Sequence, residues 1–265
     1  MKRCYGCMQP IENEKLHTCP HCGASLDLEA VPPQFLQPGT VLQNKFIVGK
    51  AIGSGGFGNT YIGWNETLLC KVAIKEFYPG QICERDSDGI TVRPKDAKSA
   101  HHFRAGLQSF LEEARSVANL QDIKGVVAIY TFFEQNGTAY LVMEYVQGVT
   151  LSRYMREQNK PLSIALANQM VQEIGDSLHR VHKKNLLHRD ISPDNIMYDN
   201  KGEMKLIDFG ATREFALNSP QSISVMVKPG FAPIEQYSRS GRQGPHTDVY
   251  GLAATYYYVV SGKKL

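Results

Sequence analysis

The sequence predicts an α+β chain: a small metal knuckle, a strand-rich half carrying one helix, then a mostly helical half. Three observations predict it. Four of the six cysteines fall in the first 22 residues as two C-x2-C pairs. Between Phe46 and Gly148, short apolar runs alternate with glycine and Asn-Gly turn signals. From Ile164 onward, apolar residues recur at helical spacing. A length of 265 residues allows one large domain, or a small one ahead of a larger one. The formal net charge of +3 is too mild to mark a nucleic-acid binder. No segment approaches the roughly 18 consecutive apolar residues of a membrane span. The most apolar run, Leu252 to Val260, is tyrosine-rich and reads as a buried helix. The N-terminus lacks the apolar core of a secretory signal, so a cytoplasmic, reducing location is expected.

Cys4, Cys7, Cys19 and Cys22 place eleven residues between the two pairs. Each pair suits one turn with both thiolates facing the same ion, and two turns complete a tetrahedral zinc site. Gly6 and Gly23 suit backbone amides approaching the sulfurs. Disulfides would need an oxidising compartment. All four positions are filled, so the zinc is expected to be structural and to supply the folding free energy of this ribbon, residues 1–28. His17 and His21 are expected to lie beside the site as surface histidines. Residues 29–42, with Pro32, Pro33 and Pro38, read as an extended linker. Cys70 and Cys83 read as ordinary thiols.

From Phe46 the residues FIVGKAIGSGGFGNTYIGW set Gly53, Gly55 and Gly58 between strand-like runs. A dinucleotide fingerprint would open a helix here, whereas NTYIGW continues as strand. The loop therefore reads as a turn between antiparallel strands whose amides could lie over phosphates. Val72-Ala73-Ile74-Lys75 is an apolar strand ending in a lysine suited to meet both phosphate and a carboxylate. Phe103, Leu107, Phe110, Ala114, Val117 and Ala118 mark the following helix. On it Glu113 shares the apolar face, as partner for Lys75, and Glu112 points to solvent. Asn136-Gly137 marks a hairpin, whose second strand runs through Met143 and Glu144 into an extended connection able to offer main-chain groups to a flat heterocycle. A helix is expected from Ile164 to Val181.

In HRDISPDN, Asp190 could accept a proton from an attacking hydroxyl and Asn195 could ligate a metal. Asp208-Phe209-Gly210 follows a short apolar strand and suits a mobile metal-binding turn. Each feature alone is ordinary turn chemistry. In this order they make a phosphoryl-transfer set of one base, two metal-ligating side chains and one lysine.

GSGGFG, VAIK, Glu113, MEYV, HRD with its Asn, DFG and Ala232-Pro233-Ile234-Glu235 together resemble the protein kinase family, specifically bacterial Ser/Thr kinases of the eukaryotic type. The resemblance covers Phe46 to the C-terminus, and the opening knuckles resemble the zinc ribbons found ahead of some bacterial kinases. It implies a two-lobed fold, a five-stranded sheet with one helix (residues 43–147) and a mostly helical lobe (148–265). It implies ATP bound with Mg2+ or Mn2+ and a protein substrate phosphorylated on Ser or Thr. Gly53, Gly55, Gly58, Thr60, Ala73, Lys75, Met143, Glu144, Val146, Asn195, Met197 and Asp208 would bind the nucleotide or its metal, with Met143 as gatekeeper. A spine through Val117, Ile129, His188 and Phe209 is also implied.

Three departures stand against that pattern. Ser192 occupies the place of the family's catalytic-loop lysine. Lys228 stands where a threonine usually precedes Pro-Gly. The two have changed places, so Lys228 is expected to deliver its ammonium to Asp190 while Ser192 supplies the hydroxyl. The third departure is that the chain stops after the helix with Asp248, Leu252, Tyr256 and Val260 at helical spacing. The large lobe is therefore expected to be incomplete, without the arginine that pairs with Glu235. A nucleotide-binding pseudokinase with the ribbon as an interaction surface is the competing reading; a small-molecule kinase or a tyrosine kinase fits less well. Thr212, Ser219, Ser222 and Ser224 lie in the activation segment, with Ser222 and Ser224 candidate autophosphorylation sites and Arg189 a partner for added phosphate. The polar stretch between Lys75 and the helix could contact a regulator or the ribbon.

Overall fold

The structure, a computed structural model, describes residues 2–13, 15–27, 30–56, 58–209, 228–238 and 240–265, together with the main chain of Arg213 and Glu214. The expected phosphorylation positions Thr212, Ser219, Ser222 and Ser224, and Gly210, lie outside the described residues. The chain divides into two units. The first holds Met1–Ala114 and Ile129–Tyr145, the second Arg115–Ala128 and Val146–Leu265.

In the first unit a sheet runs in the order β1-β2-β3-β4-β8-β7, from Val41–Leu42 (β1), Phe46–Gly55 (β2), Gly58–Asn65 (β3), Cys70–Phe77 (β4), Ile129–Gln135 (β7) and Thr138–Glu144 (β8). Neighbouring strands pair antiparallel throughout. The five-stranded sheet implied by the resemblance thus gains a sixth strand, because Val41 and Leu42 pair with Ile47 and Phe46. Asn136 and Gly137 both have positive φ, 55° and 73°, so the expected hairpin closes with the twist of its strands. Between β4 and helix α1 (Ala97–Ala118), the polar stretch folds as a hairpin of Cys83–Arg85 (β5) and Val92–Pro94 (β6). The Phe77 ring packs tilted against Phe103 and Phe110, with ring centroids 5.3 and 5.7 Å apart, which seats α1 on β4.

The linker reading needs correcting. Leu36 is 1% exposed and packs with Leu42, Phe46, Val48, Tyr61, Val72, Ile74, Tyr140 and Val142 in one cluster. The Tyr61 hydroxyl accepts from the Leu36 N–H at 3.1 Å. Phe35 and Leu36 are large apolar groups within a proline-rich run, and burial outweighs the run's preference for extended, solvated backbone. The ribbon also meets this sheet. Tyr5 O accepts from the Lys50 N–H at 2.9 Å, and the Arg3 guanidinium lies 3.4 Å from the Trp64 ring centre. Met8 is fully buried, and a Cβ at Gly49 would stand 2.5 Å from the backbone oxygen of Tyr5 as well as 2.2 Å from Met8 Cε, so only glycine admits the knuckle at that point of β2.

The second unit carries Gly148–Thr150 (β9), Leu151–Gln158 (α2), Ile164–Lys183 (α3), Leu186–Leu187 (β10), Ile196–Asp199 (β11), Met204–Leu206 (β12), Arg213–Glu214 (β13) and Pro245–Ser261 (α4). Thr150 and Ser163 cap α2 and α3 through their hydroxyl oxygens. The expected helix from Ile164 is present and buries Ala167, Met170, Ile174, Leu178 and Val181. Helix α4 turns slightly from the expected stripe: Asp248, Leu252, Thr255 and Val259 are buried, while Tyr256 and Val260 are half-buried. Three- and four-residue steps alternate along a helix at 3.6 residues per turn, so an unbroken four-residue series drifts off the buried face.

Candidate functional site

Asp190 and Asn195 are held by a frame of buried groups. Asp248, 1% exposed, accepts from His182 Nε2 at 2.7 Å, the His188 N–H at 2.9 Å and the Arg189 N–H at 2.6 Å. One carboxylate on α4 thus pins the loop immediately before Asp190, with Arg189 in the left-handed region at φ 68°. Gln236, in the turn Ile234–Tyr237, donates to Arg189 O at 2.8 Å. Asn195 Nδ2 donates to Asp190 Oδ2 at 2.7 Å and to Asp190 O at 2.8 Å, so the amide orients the carboxylate. The Ile207 N–H donates to Asn195 O at 3.0 Å, which sets the Asp208 turn beside the Asn195 loop. Asp208 is exposed at φ 56°, and the His188 and Phe209 rings lie 4.5 Å apart. Oxygen donors from Asn195 and Asp208 suit a hard divalent cation.

The expected bond from Lys228 to Asp190 is not formed among the described residues. Lys228 Nζ instead donates to Ser192 Oγ at 2.9 Å and pairs with Asp194. The contact with Ser192 matches half of the exchanged arrangement. Asp194, whose side chain is 55% exposed, takes the other half, whereas Asp190 Oδ2 is occupied by Asn195. Burial pushes the Asp194 carboxyl up, but Lys228 and the Ser152 hydroxyl outweigh it and hold it below the usual carboxylate range. Lys228 and Asp190 line the same small recess, with Phe231, Gln236, Thr247 and Gly251. Glu235 accepts from Thr247 Oγ1 at 2.9 Å, and His246 Nε2 lies 3.5 Å away.

In the first unit, Lys75 stands opposite Thr60 on β3 and Leu141 on β8, and Ala73 stands opposite Met143. Glu113 is half-buried on the face of Phe110 and Val117, while exposed Glu112 accepts from Gln108 at 2.7 Å. Gly53 and Gly55 pair across the turn with Thr60 and Gly58. Gly58 has its own steric reason: a Cβ there would stand 1.9 Å from Glu76 O on β4. Glu144 ends β8, Val146 begins the second unit's connection, and Met197 on β11 faces Thr150 and Lys205. Ile129 and Val117 are buried.

The four ribbon thiols form one cluster, with all Sγ atoms within 4.8 Å of one another. Cys4 and Cys22 are 3.7 Å apart, and Cys7 and Cys19 3.8 Å. A tetrahedral zinc with Zn–S of about 2.3 Å requires S···S of about 3.8 Å, so the cradle fits the ion. The separations exceed a disulfide's ~2.05 Å. The Gly6 and His21 N–H groups point at Cys4 and Cys19 at 3.3 and 3.4 Å, completing both knuckles. His17 contacts Asp27 at 3.1 Å on the surface.

Sequence reasoning missed Asp194, Asp248's role as clamp, and a buried ion pair. Glu76 is fully buried and accepts from Arg85 Nη2 and Tyr61 at 2.8 Å, Tyr140 at 3.2 Å and Asn59 at 3.4 Å. Arg85 also donates to Gln34 O and Ile90 O at 2.9 Å. The β5–β6 hairpin is thereby tied to the sheet and to the stretch before β1. Burial, then the neighbouring Glu76 charge, push the Tyr61 and Tyr140 hydroxyls upward. The missed signal was alternation: Glu76 shares the inward face of Val72 and Ile74.

A family model described as Protein kinase domain matches residues 46–265. Serine/threonine-protein kinase PknA of a Nostoc species is 31% identical over 234 residues, 84% of this chain and 38% of that protein. Serine/threonine-protein kinase PrkC of Bacillus subtilis is 29% identical, over 85% of this chain and 32% of its own length. The chain therefore spans well under half of either curated relative. A solved structure described as PpkA-294 in its apo form superposes with a TM-score of 0.77 at 32% identity, covering 87% of this chain and 80% of that one.

Proposed function

Because the chain belongs to the protein kinase family, we propose that it transfers the γ-phosphoryl group of ATP to Ser or Thr hydroxyls of a protein substrate. The observation that carries the reading is the Asp190–Asn195 pair, with its carboxylate oriented by an amide at 2.7 Å and its loop pinned by buried Asp248. Asp190 orients the substrate hydroxyl and takes its proton. The substrate oxygen forms a bond to the γ-phosphorus, and the bond to the β–γ bridging oxygen breaks, leaving its electron pair on ADP. Asn195 and Asp208 would hold Mg2+ or Mn2+, which neutralises phosphate charge when bound. Lys75, supported by Glu113, positions the phosphates beneath the Gly53–Gly58 turn. Met143, Glu144, Val146, Ala73 and Met197 receive the base. Lys228, anchored on Ser192, brings a positive charge to the recess of Asp190. The ribbon holds a structural zinc, and the cytoplasm is the reducing compartment its thiolates need.

The test is phosphoamino-acid analysis after incubation with labelled ATP, Mg2+ and a generic basic protein substrate. Phosphoserine or phosphothreonine is expected. Label recovered only as phosphotyrosine, or nucleotide binding without any label, overturns the reading and favours another acceptor or a nucleotide-binding module.

A further inference from the structure

An ammonium group has three N–H donors and no acceptor. In Lys228, one donates to Ser192 Oγ at 2.9 Å and another pairs with Asp194. Fixing two donors of a tetrahedral ammonium fixes the direction of the third. Ser192 is fully buried and cannot follow a wandering lysine. Asp194 lies two residues on, across Pro193, whose locked φ stiffens the spacing between the two anchors. Pro193 O also accepts from the Ser152 N–H at 3.1 Å, which ties this stretch to α2. Most exposed lysine pairs are loose because rotamer entropy opposes them. Lys228 is only 32% exposed and is held at two points, one of them buried.

Resting on the kinase reading above, we propose that Asp194 is a positioning residue. With Ser192 it clamps Lys228 so that the third N–H serves the phosphoryl group transferred beside Asp190. Asp194 acts only through Lys228 and touches no reacting atom. Its exposure matters, since water screens the pair and leaves Lys228 enough net charge to support a developing phosphoryl anion.

The experiment is single-turnover transfer from labelled ATP by the full chain, comparing Asp194→Asn, Asp194→Glu, Lys228→Met and the Asp194→Asn/Lys228→Met pair. Asp194→Asn is expected to lower the transfer rate about tenfold while the ATP KM stays within about twofold, as a misplaced group does. Asp194→Glu should recover most of the loss. In the Lys228→Met background, Asp194→Asn should cost nothing further. An equal loss in both backgrounds would show a merely structural role and overturn the inference. An unchanged rate in Asp194→Asn, with Lys228→Met impaired, overturns it and leaves the kinase reading standing. An unchanged rate in Lys228→Met removes the role of Lys228 itself. No transfer by the unsubstituted chain overturns the kinase reading and this inference together.

Discussion

Arg85→Met tests how the first unit is held together. The Arg85 and Glu76 side chains are 2% and 0% exposed, so the substitution leaves a carboxylate in the interior without its counter-charge. Removing one partner of a buried pair costs about 3–5 kcal/mol. Three donors remain on Glu76, from Tyr61, Tyr140 and Asn59, which places the cost toward the lower end. The lost bonds to Gln34 O and Ile90 O add to it, since hydrogen bonds contribute roughly 1 kcal/mol each. The expected loss is therefore about 5 kcal/mol, or close to 2.5 M in urea midpoint for a slope of about 2 kcal/mol/M. Urea unfolding followed by Trp64 fluorescence measures it, because the one tryptophan of the chain lies on β3 in this unit. Glu76→Leu with Arg85→Met should recover about half the loss, since no charge is then stranded. A midpoint shift under about 0.5 M, or a double variant worse than both single losses added, would show that the Arg85–Glu76 pair does not hold this unit together.

Three further outcomes follow from the same geometry. Stripping zinc with a chelator should release one ion per chain and lower the thermal midpoint seen by Trp64, because the Cys4–Cys7 knuckle packs on Gly49 and Lys50; an unshifted midpoint counts against a structural zinc. Asp248→Asn keeps the shape but replaces one acceptor oxygen with a donor facing N–H groups. It should cost about 2 kcal/mol of stability and slow transfer about tenfold, by denaturation and single-turnover assay. The Asp194 carboxyl titrates below its ordinary value in the folded chain, so its stabilising contribution is present above the unfolded value of about 3.9 and is lost as pH falls through the lowered one. The stability difference between the unsubstituted chain and Asp194→Asn should accordingly be constant from pH 7 to about 5 and vanish in stronger acid.

Much of the fold was legible because its signals are local. The Asn136-Gly137 turn, the apolar face of α1 and the helix from Ile164 depend on residues a few positions apart. The thiol cluster was legible for the same reason, since its cysteines come in C-x2-C turns. The loop of Asp190 and Asn195 carries its own hydrogen bonds over five residues. What escaped was long-range. Lys228 meets Asp194 across 34 residues, and spacing does not say which of two nearby carboxylates an ammonium takes. Leu36 looked like linker because the prolines around it speak for extended chain, while the surface it covers lies on strands still to come. Arg85 sat in a polar run whose other charges are solvated, so nothing nearby marked it as the partner of Glu76.

The measurement closest to the central claim is single-turnover phosphate transfer from labelled ATP with Mg2+, comparing the unsubstituted chain with Asp190→Asn at equal, saturating nucleotide occupancy. Label is expected on Ser or Thr of the acceptor from the unsubstituted chain. Asp190→Asn should bind ATP equally well and transfer at least about a hundredfold more slowly. Equal transfer by both proteins, or none by either while ATP binds, would contradict it.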